Sequence, residues 1–314
     1  VAADLAVVEA ALRDDIQGDP PVVAAPMADL FAAGGKRLRP ALVLLSARFG
    51  HYDLDKLIPA AMAVELTHAA TLVHDDVIDR SPVRRGRPTV AASLGDEPAI
   101  VIGDFYFAKA YEHAARTELT EVVRILARTV MEICAGEVRQ QEIRYRYSTS
   151  VDEYMQRIDA KTATLLGACC DIGALLAGLP QPQRSGLNTY ARLLGLAFQI
   201  ADDVLDYLGS EGEIGKPIGQ DIAEGFATLP LMIALEDASA AKRLAKVLQD
   251  GRKLSSKDAS KVVEVVRESD APQRALERAR EHATAARRQL DSLPAVDARN
   301  ALGALTDYVV TRKL

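Results

Sequence analysis

The sequence predicts an all-α protein, a single large helical domain of about ten to twelve helices, and three observations predict it. Apolar and small residues recur at helical spacing through several long segments, and no alternating stretch of useful strand length interrupts them. The core material is aliphatic: 49% of the 314 residues are hydrophobic, yet only 5% are aromatic and Trp is absent. Ala, Leu, Val and Ile in that proportion favour close helix packing over an aromatic-rich sandwich.

The helical spacing runs from Leu54 to Ile78, from Glu118 to Tyr147, from Val151 to Gly178 and from Gln183 to Leu208. Breaks fall at Asp19-Pro20-Pro21, at Arg80 to Pro88, at Leu179-Pro180-Gln181-Pro182 and at Gly209 to Gly219, where Gly, Pro or Ser occupy turn positions. None of these is long enough for an interdomain linker, so residues 1–314 are expected to form one domain. From about Asp237 onward the chain is rich in Ala, Arg, Lys and Glu with helix periodicity and carries no chemical motif. That segment is expected to be a solvated outer layer of helices.

Charge and cysteine usage exclude several classes. A formal net charge of -6 argues against nucleic acid as a partner, because such proteins carry a basic surface. Cys134, Cys169 and Cys170 form neither a disulfide framework nor a CxxC metal pattern, as expected of a reduced, cytoplasmic protein. No apolar run reaches the ~18 residues of a membrane span, so no integral membrane segment is expected. The N-terminus lacks a basic region followed by an apolar one.

One internal echo carries the chemistry. Leu72-Val73-His74-Asp75-Asp76-Val77-Ile78-Asp79 is matched by Gln199-Ile200-Ala201-Asp202-Asp203-Val204-Leu205-Asp206, each an apolar approach ending in DDxxD. On a helix, Asp75 and Asp79 share a face, as do Asp202 and Asp206, with no cation at helical spacing to neutralise either pair. Like charges there are destabilising, and a divalent cation relieves them. Oxygen-only carboxylate ligands suit Mg²⁺, which completes its shell with water and substrate phosphate. His68 lies on the same stripe as Asp75, two turns back.

Two basic runs complement the acids: Gly34-Gly35-Lys36-Arg37-Leu38-Arg39-Pro40 and Arg84-Arg85-Gly86-Arg87. Arg offers forked donors that fit phosphate oxygens, and Lys a point charge. The GxxxxGK[ST] spacing of a P-loop is missing. With Lys161-Thr162, Gln199 and Lys216, these residues describe a cavity that clamps diphosphate groups through metal ions and fixed cations. No nucleophilic triad is present.

GGKRLRP, HAATLVHDDVIDRSPVRRGRPT, the Lys161-Thr162 pair, FQIADDVLD and GKPIGQDIAEG together resemble the trans-isoprenyl diphosphate synthases, also called polyprenyl synthetases. The resemblance covers almost the whole chain and is densest from Gly34 to Pro230. It implies the isoprenoid synthase fold, a helical bundle around a central cavity, and a homodimer. It implies that Lys36, Arg39, His68 and Arg85 hold the diphosphate of isopentenyl diphosphate. Arg84, Lys161, Thr162, Gln199 and Lys216 would hold the allylic diphosphate, bridged through Mg²⁺, three ions with substrate bound, to Asp75, Asp79 and Asp202. Asp76, Asp203 and Asp206 would support them. The implied reaction is ionisation of the allylic diphosphate, attack by the isopentenyl double bond, and proton loss to the departed diphosphate. One departure stands out: where many members carry Lys after Glu224-Gly225, this chain has Phe226.

In that family, residues just upstream of the first Asp floor the product cavity. Thr71 and Ala70 stand where short-chain members place an aromatic ring, with Thr67, Ala63 and Val64 a turn deeper. At ~1.5 Å per residue, roughly 12–18 Å of helix lacks a large side chain, so a product of C20 or longer is expected. Phe105, Tyr106, Phe107 and Met131 could close the cavity sooner. The competing readings are a short-chain farnesyl or geranylgeranyl diphosphate synthase, a subunit of a heteromeric synthase, and a class I terpene cyclase. The cyclase is disfavoured because a second DDxxD stands where cyclases carry an Asn-Ser-Glu motif.

Overall fold

The computed structural model of the chain describes residues 1–35, 37–209 and 218–311. Lys36 and Lys216 therefore lie outside the described residues. Among the described residues the architecture is all-α, with twelve helices of eight residues or more and shorter helical turns between them. They gather into two compact units.

The first unit comprises residues 1–130, 165–188 and 292–299. It holds α1 (Ala2–Gln17), α2 (Pro21–Ala32), α3 (Leu38–Ala47), α4 (Leu54–Ile78), α5 (Val90–Leu94) and α6 (Asp96–Ala115). Its centre is α4, which packs against α1, α3, α5 and α6. The Asp53 side chain accepts a hydrogen bond from the Asp55 N–H and starts the helix. Among the described residues α4 is the one helix long and apolar enough to cross a membrane, but 67% of its apolar window is buried inside the protein. Its hydrophobic surface is consumed by the core. α6 is pinned to the end of α1 by Lys109, whose Nζ lies 2.9 Å from Asp15 and 2.5 Å from Asp19. Tyr106 is fully buried and its hydroxyl donates to Asp19 at 3.2 Å. It is therefore a core residue of this unit.

The break expected after Ile78 contains a small hairpin, β1 (Val83–Arg84) against β2 (Arg87–Pro88). Arg85 and Gly86 both have positive φ, 51° and 76°. That is the backbone of a two-residue type I′ turn, in which Gly fits without strain. A strand of two residues is too short to alternate, which is why the sequence pattern reads only as loop.

The second unit comprises residues 131–164, 189–291 and 300–314. α7 (Thr120–Glu142) contributes its second half, followed by α8 (Val151–Ile158), which opens on a capping box between Ser150 and Glu153. The periodicity expected to run unbroken from Val151 to Gly178 is interrupted by a π-helical turn, Asp159–Ala163, before α9 (Thr164–Leu176). Five residues are too few to show a period of their own, so the turn escapes a pattern search. Two contacts hold the turn. Asp159 takes both the Nε and a terminal nitrogen of Arg192, and Gly136 lets α7 approach so closely that a Cβ there would stand 2.5 Å from that of Ala160.

The rest of this unit is α10 (Gln181–Leu208), from Thr189 on, then α11 (Gln220–Glu224), α12 (Leu229–Ala234), α13 (Ala238–Leu244), α14 (Ser256–Arg267), α15 (Ala271–Gln289) and α16 (Asp297–Thr311), from Asn300 on. Its core joins Tyr154, Ile200, Val204 and Tyr207 to Leu231, Val262, Val266, Ala275 and Ala279. The last third is thus more than an outer layer. α14 and α15 are solvated on one face and carry core residues on the other.

Candidate active site

In the first unit the site is built on the last turn of α4. Asp76 is 3% exposed, while Asp75 and Asp79 are partly exposed on either side of it. The buried Asp76 carboxylate receives the Arg84 guanidinium, whose Nε lies 2.9 and 3.0 Å from its two oxygens. Burial pushes the Asp76 carboxyl up, and Arg84 is the main force holding it down. The hairpin thus supplies the cation that helical spacing within α4 does not.

Next along that turn, Arg85 donates to the carbonyl of Gly34. The Gly34-Gly35 loop and the Arg84-Arg85 turn are therefore in contact. Arg37, in left-handed backbone at the start of α3, is structural: it reaches Glu65 at 3.1 Å and Glu9 at 3.2 Å, and lies 5.0 Å over the Phe31 ring. Arg39 has no such clamp, and its Nε is buried without a hydrogen-bond partner among the described residues. Burial depresses Arg39, and burial together with the charges of Arg84 and Arg37 depresses Arg85. His68 is held far below the ordinary imidazole range by burial first, then by the fields of Arg39, Arg85, Arg84 and Arg37. Such a cluster is poised for an anion: it would give Arg39 an acceptor and relieve the repulsion among the cations.

In the second unit the π-turn and α10 meet in one hydrogen-bonded chain. Thr162 Oγ1 donates to Gln199 Oε1 at 2.8 Å, and Gln199 Nε2 donates to Asp203 Oδ1 at 2.9 Å. Tyr154 donates to the other Asp203 oxygen at 2.7 Å. Asp203 is 3% exposed, and its carboxyl is pushed up to about 7 by burial and the charge of Asp221, against the pull of Arg157 and those two donors. Asp206, 1% exposed, accepts from the Asp221 N–H at 3.2 Å, while Asp202 is partly exposed. Lys161 Nζ lies 3.2 Å from Glu137 on α7.

Each expected site residue within the described set thus sits in one of two groups. The first unit assembles Asp75, Asp76, Asp79, Arg39, His68, Arg84 and Arg85, and the second assembles Asp202, Asp203, Asp206, Lys161, Thr162 and Gln199. Among the described residues no three His, Cys, Asp or Glu side chains come together as a metal cage. Sequence reasoning missed Tyr154 and Glu137, which reach the site from other helices and carry no spacing signal. Glu65 had one, as a lone acid inside an apolar helix. Of the expected chain-length positions, Thr67 and Ala70 are buried, and Thr67 Oγ1 is satisfied by the Ala63 carbonyl at 2.8 Å. Thr71 is partly exposed, with its hydroxyl 2.7 Å from the His68 carbonyl.

Comparison with known proteins identifies the family. Residues 20–266 match the family model described as polyprenyl synthetase. The heptaprenyl diphosphate synthase component 2 of Geobacillus stearothermophilus is 39% identical over 309 residues, covering 98% of this chain and 96% of that protein. The nonaprenyl diphosphate synthase of Mycobacterium tuberculosis is 34% identical, covering 99% and 93%. A polyprenyl synthase from Caulobacter crescentus, solved in complex with calcium and isoprenyl diphosphate, superposes with a TM-score of 0.94 at 38% identity, covering 100% of this chain and 96% of that one. With both aspartate motifs and the cation cluster inside the matched segment, the chain belongs to the polyprenyl synthetase family of prenyltransferases.

Proposed function

We propose that this chain, acting as one polyprenyl synthetase domain, is a magnesium-dependent trans-polyprenyl diphosphate synthase that joins isopentenyl diphosphate to an allylic diphosphate and releases products of C20 or longer. The observation that carries this reading is the division within each DDxxD motif. The middle aspartates, Asp76 and Asp203, are buried and bound to protein partners, and Asp206 is bound to backbone. Asp75, Asp79 and Asp202 are the more accessible three, which supports assigning the metal contacts to them. The donor set fits Mg²⁺: carboxylate oxygens only, with one or two per ion and the remaining positions left to water and phosphate. The relative solved with calcium and isoprenyl diphosphate supports a divalent ion beside a diphosphate.

Bound Mg²⁺, three ions in the full complex, would supply positive charge to the leaving diphosphate. The protein's own part is binding and exclusion of water. Lys36, Arg39, His68 and Arg85 take the isopentenyl diphosphate, His68 remaining neutral until an anion arrives. Arg84, Lys161, Thr162, Gln199 and Lys216 take the allylic diphosphate, with Thr162 and Gln199 fixed in place by Asp203. Preorganised charge of this kind favours departure of the diphosphate as the allylic cation forms. The isopentenyl double bond then attacks, and the departed diphosphate accepts the proton. We place the enzyme in the cytoplasm as a homodimer.

Incubating the purified chain with Mg²⁺, farnesyl diphosphate and isopentenyl diphosphate, and sizing the products, tests this. Products of C20 or more are expected; accumulation of C15 alone from a shorter primer would sink the long-chain assignment. A second reading has a specific support, since the Geobacillus relative is named as component 2 of its synthase. Turnover by this chain without any added subunit excludes a silent-partner role. Its absence, with folding intact, favours a heteromeric enzyme.

A further inference from the structure

Phe226 stands where the sequence departs from the family pattern, and the structure gives it an occupation. The residue is only 7% exposed. Its ring is shared by two guanidiniums, with the Cζ atoms of Arg144 and Arg157 each 5.5 Å from the centroid. Arg144 is also 5.4 Å over Tyr145, and Arg157 is 5.4 Å over Tyr154. In a chain with 5% aromatic residues, three of them gather on these two arginines.

Backbone carbonyls fix the arrangement. Arg144 Nε donates to the Glu224 carbonyl at 2.8 Å, and a terminal nitrogen of Arg157 donates to the Ala227 carbonyl at 3.1 Å. Gly225, at φ 97°, brings the chain against the Tyr145 ring, 2.3 Å from where a Cβ would stand. Among the described residues neither guanidinium has a carboxylate at ion-pair distance. Each has five N–H donors and spends one on those carbonyls. Arg157 is also adjacent to the second aspartate motif: Tyr154, under its guanidinium, donates to Asp203, and the charge of Arg157 opposes the burial of that carboxyl.

We infer that Arg157, with Arg144 beside it, is a binding residue for the diphosphate of the allylic substrate, and that Phe226 is the positioning residue that aims the pair. Two fixed cations on one ring repel each other, with only the field of the nearby Asp203 carboxyl acting on Arg157, and a diphosphate accepting from both removes that cost. The forked donors sit beside the motif assigned to the same substrate, so the cation missing at position 226 is supplied from α8 and the loop after α7. This inference rests on the prenyltransferase reading of the site.

The test compares wild type with Arg157→Gln, Arg157→Lys and Phe226→Leu, with Arg278→Gln at the exposed surface as a control. KM for farnesyl diphosphate, KM for isopentenyl diphosphate, kcat and melting temperature are measured. Magnesium-dependent binding of inorganic diphosphate is measured by calorimetry. Losing a charge-assisted contact should raise the farnesyl diphosphate KM and weaken diphosphate binding by about tenfold or more in Arg157→Gln. KM for isopentenyl diphosphate should stay within about twofold in the same variant. Arg157→Lys should recover part of the loss, and Phe226→Leu should show a smaller loss in the same direction. Unchanged farnesyl diphosphate KM and diphosphate binding in Arg157→Gln overturn the inference. If that variant does not fold, the same two quantities unchanged in Arg157→Lys and Phe226→Leu overturn it. A wild-type chain that binds diphosphate but condenses nothing counts against the enzyme assignment alone, because the binding comparison still reads the arginines.

Discussion

His68 combines two opposing demands: the proposed function has it meet an anion, yet burial and four arginines hold its imidazole toward the unprotonated form. Its folded pKa lies below 6.5, the unfolded value, so below that pH the unfolded chain binds a proton that the folded chain refuses. Stability should therefore fall as pH drops through and below about 6.5, and the dependence should weaken in His68→Gln. Urea titrations of both forms between about pH 5 and about pH 8 check the sign; identical slopes refute it. The groups that face His68 are Arg39, Arg85, Arg84 and Arg37, all cationic throughout this range. At this scale the sequence was informative where one helix carries the pattern, as for Asp75, Asp79 and His68. It was silent where a partner arrives from elsewhere in the chain, as Tyr154 does for Asp203 and Arg84 for Asp76.

Among elements, α4 was legible to the residue, Leu54–Ile78, because a long apolar run and a clear break bound it. The π-turn was not, since its five residues are too few to show a period of their own. The consequence for α4 concerns the positions proposed to limit product length. Ala70 is completely buried, whereas Thr71, one residue on, is partly exposed. A phenylalanine at position 70 must displace packed neighbours, at a cost of about 1–3 kcal/mol. Both Ala70→Phe and Thr71→Phe should shorten the product, but Thr71→Phe should do so with the smaller fall in melting temperature. Product sizing beside thermal denaturation decides this; full-length product from both variants would remove these positions from the chain-length barrier.

For the whole molecule, each of the two units carries one aspartate motif and its own buried core. Both cores are closed by apolar side chains, mainly aliphatic with a few buried tyrosines. Metal is therefore expected to serve turnover and not folding. Treatment with a chelator should abolish condensation while far-UV circular dichroism stays unchanged, and added Mg²⁺ should restore activity. Unfolding on chelation would contradict this. All-α architecture could be read from composition and periodicity because those report burial along one helix at a time. The grouping into two units could not, because it depends on pairings between distant segments.

The hairpin turn after α4 has a further effect. Its neighbouring arginines look in two directions, Arg84 to the carboxylate of Asp76 and Arg85 to the carbonyl of Gly34. A ligand that draws Arg85 away from Gly34 must also pull, through a single peptide bond, on the clasp that steadies the first aspartate motif. The loop that begins at Gly34 and the buried middle carboxylate of α4 are thereby tethered to one another through two adjacent side chains.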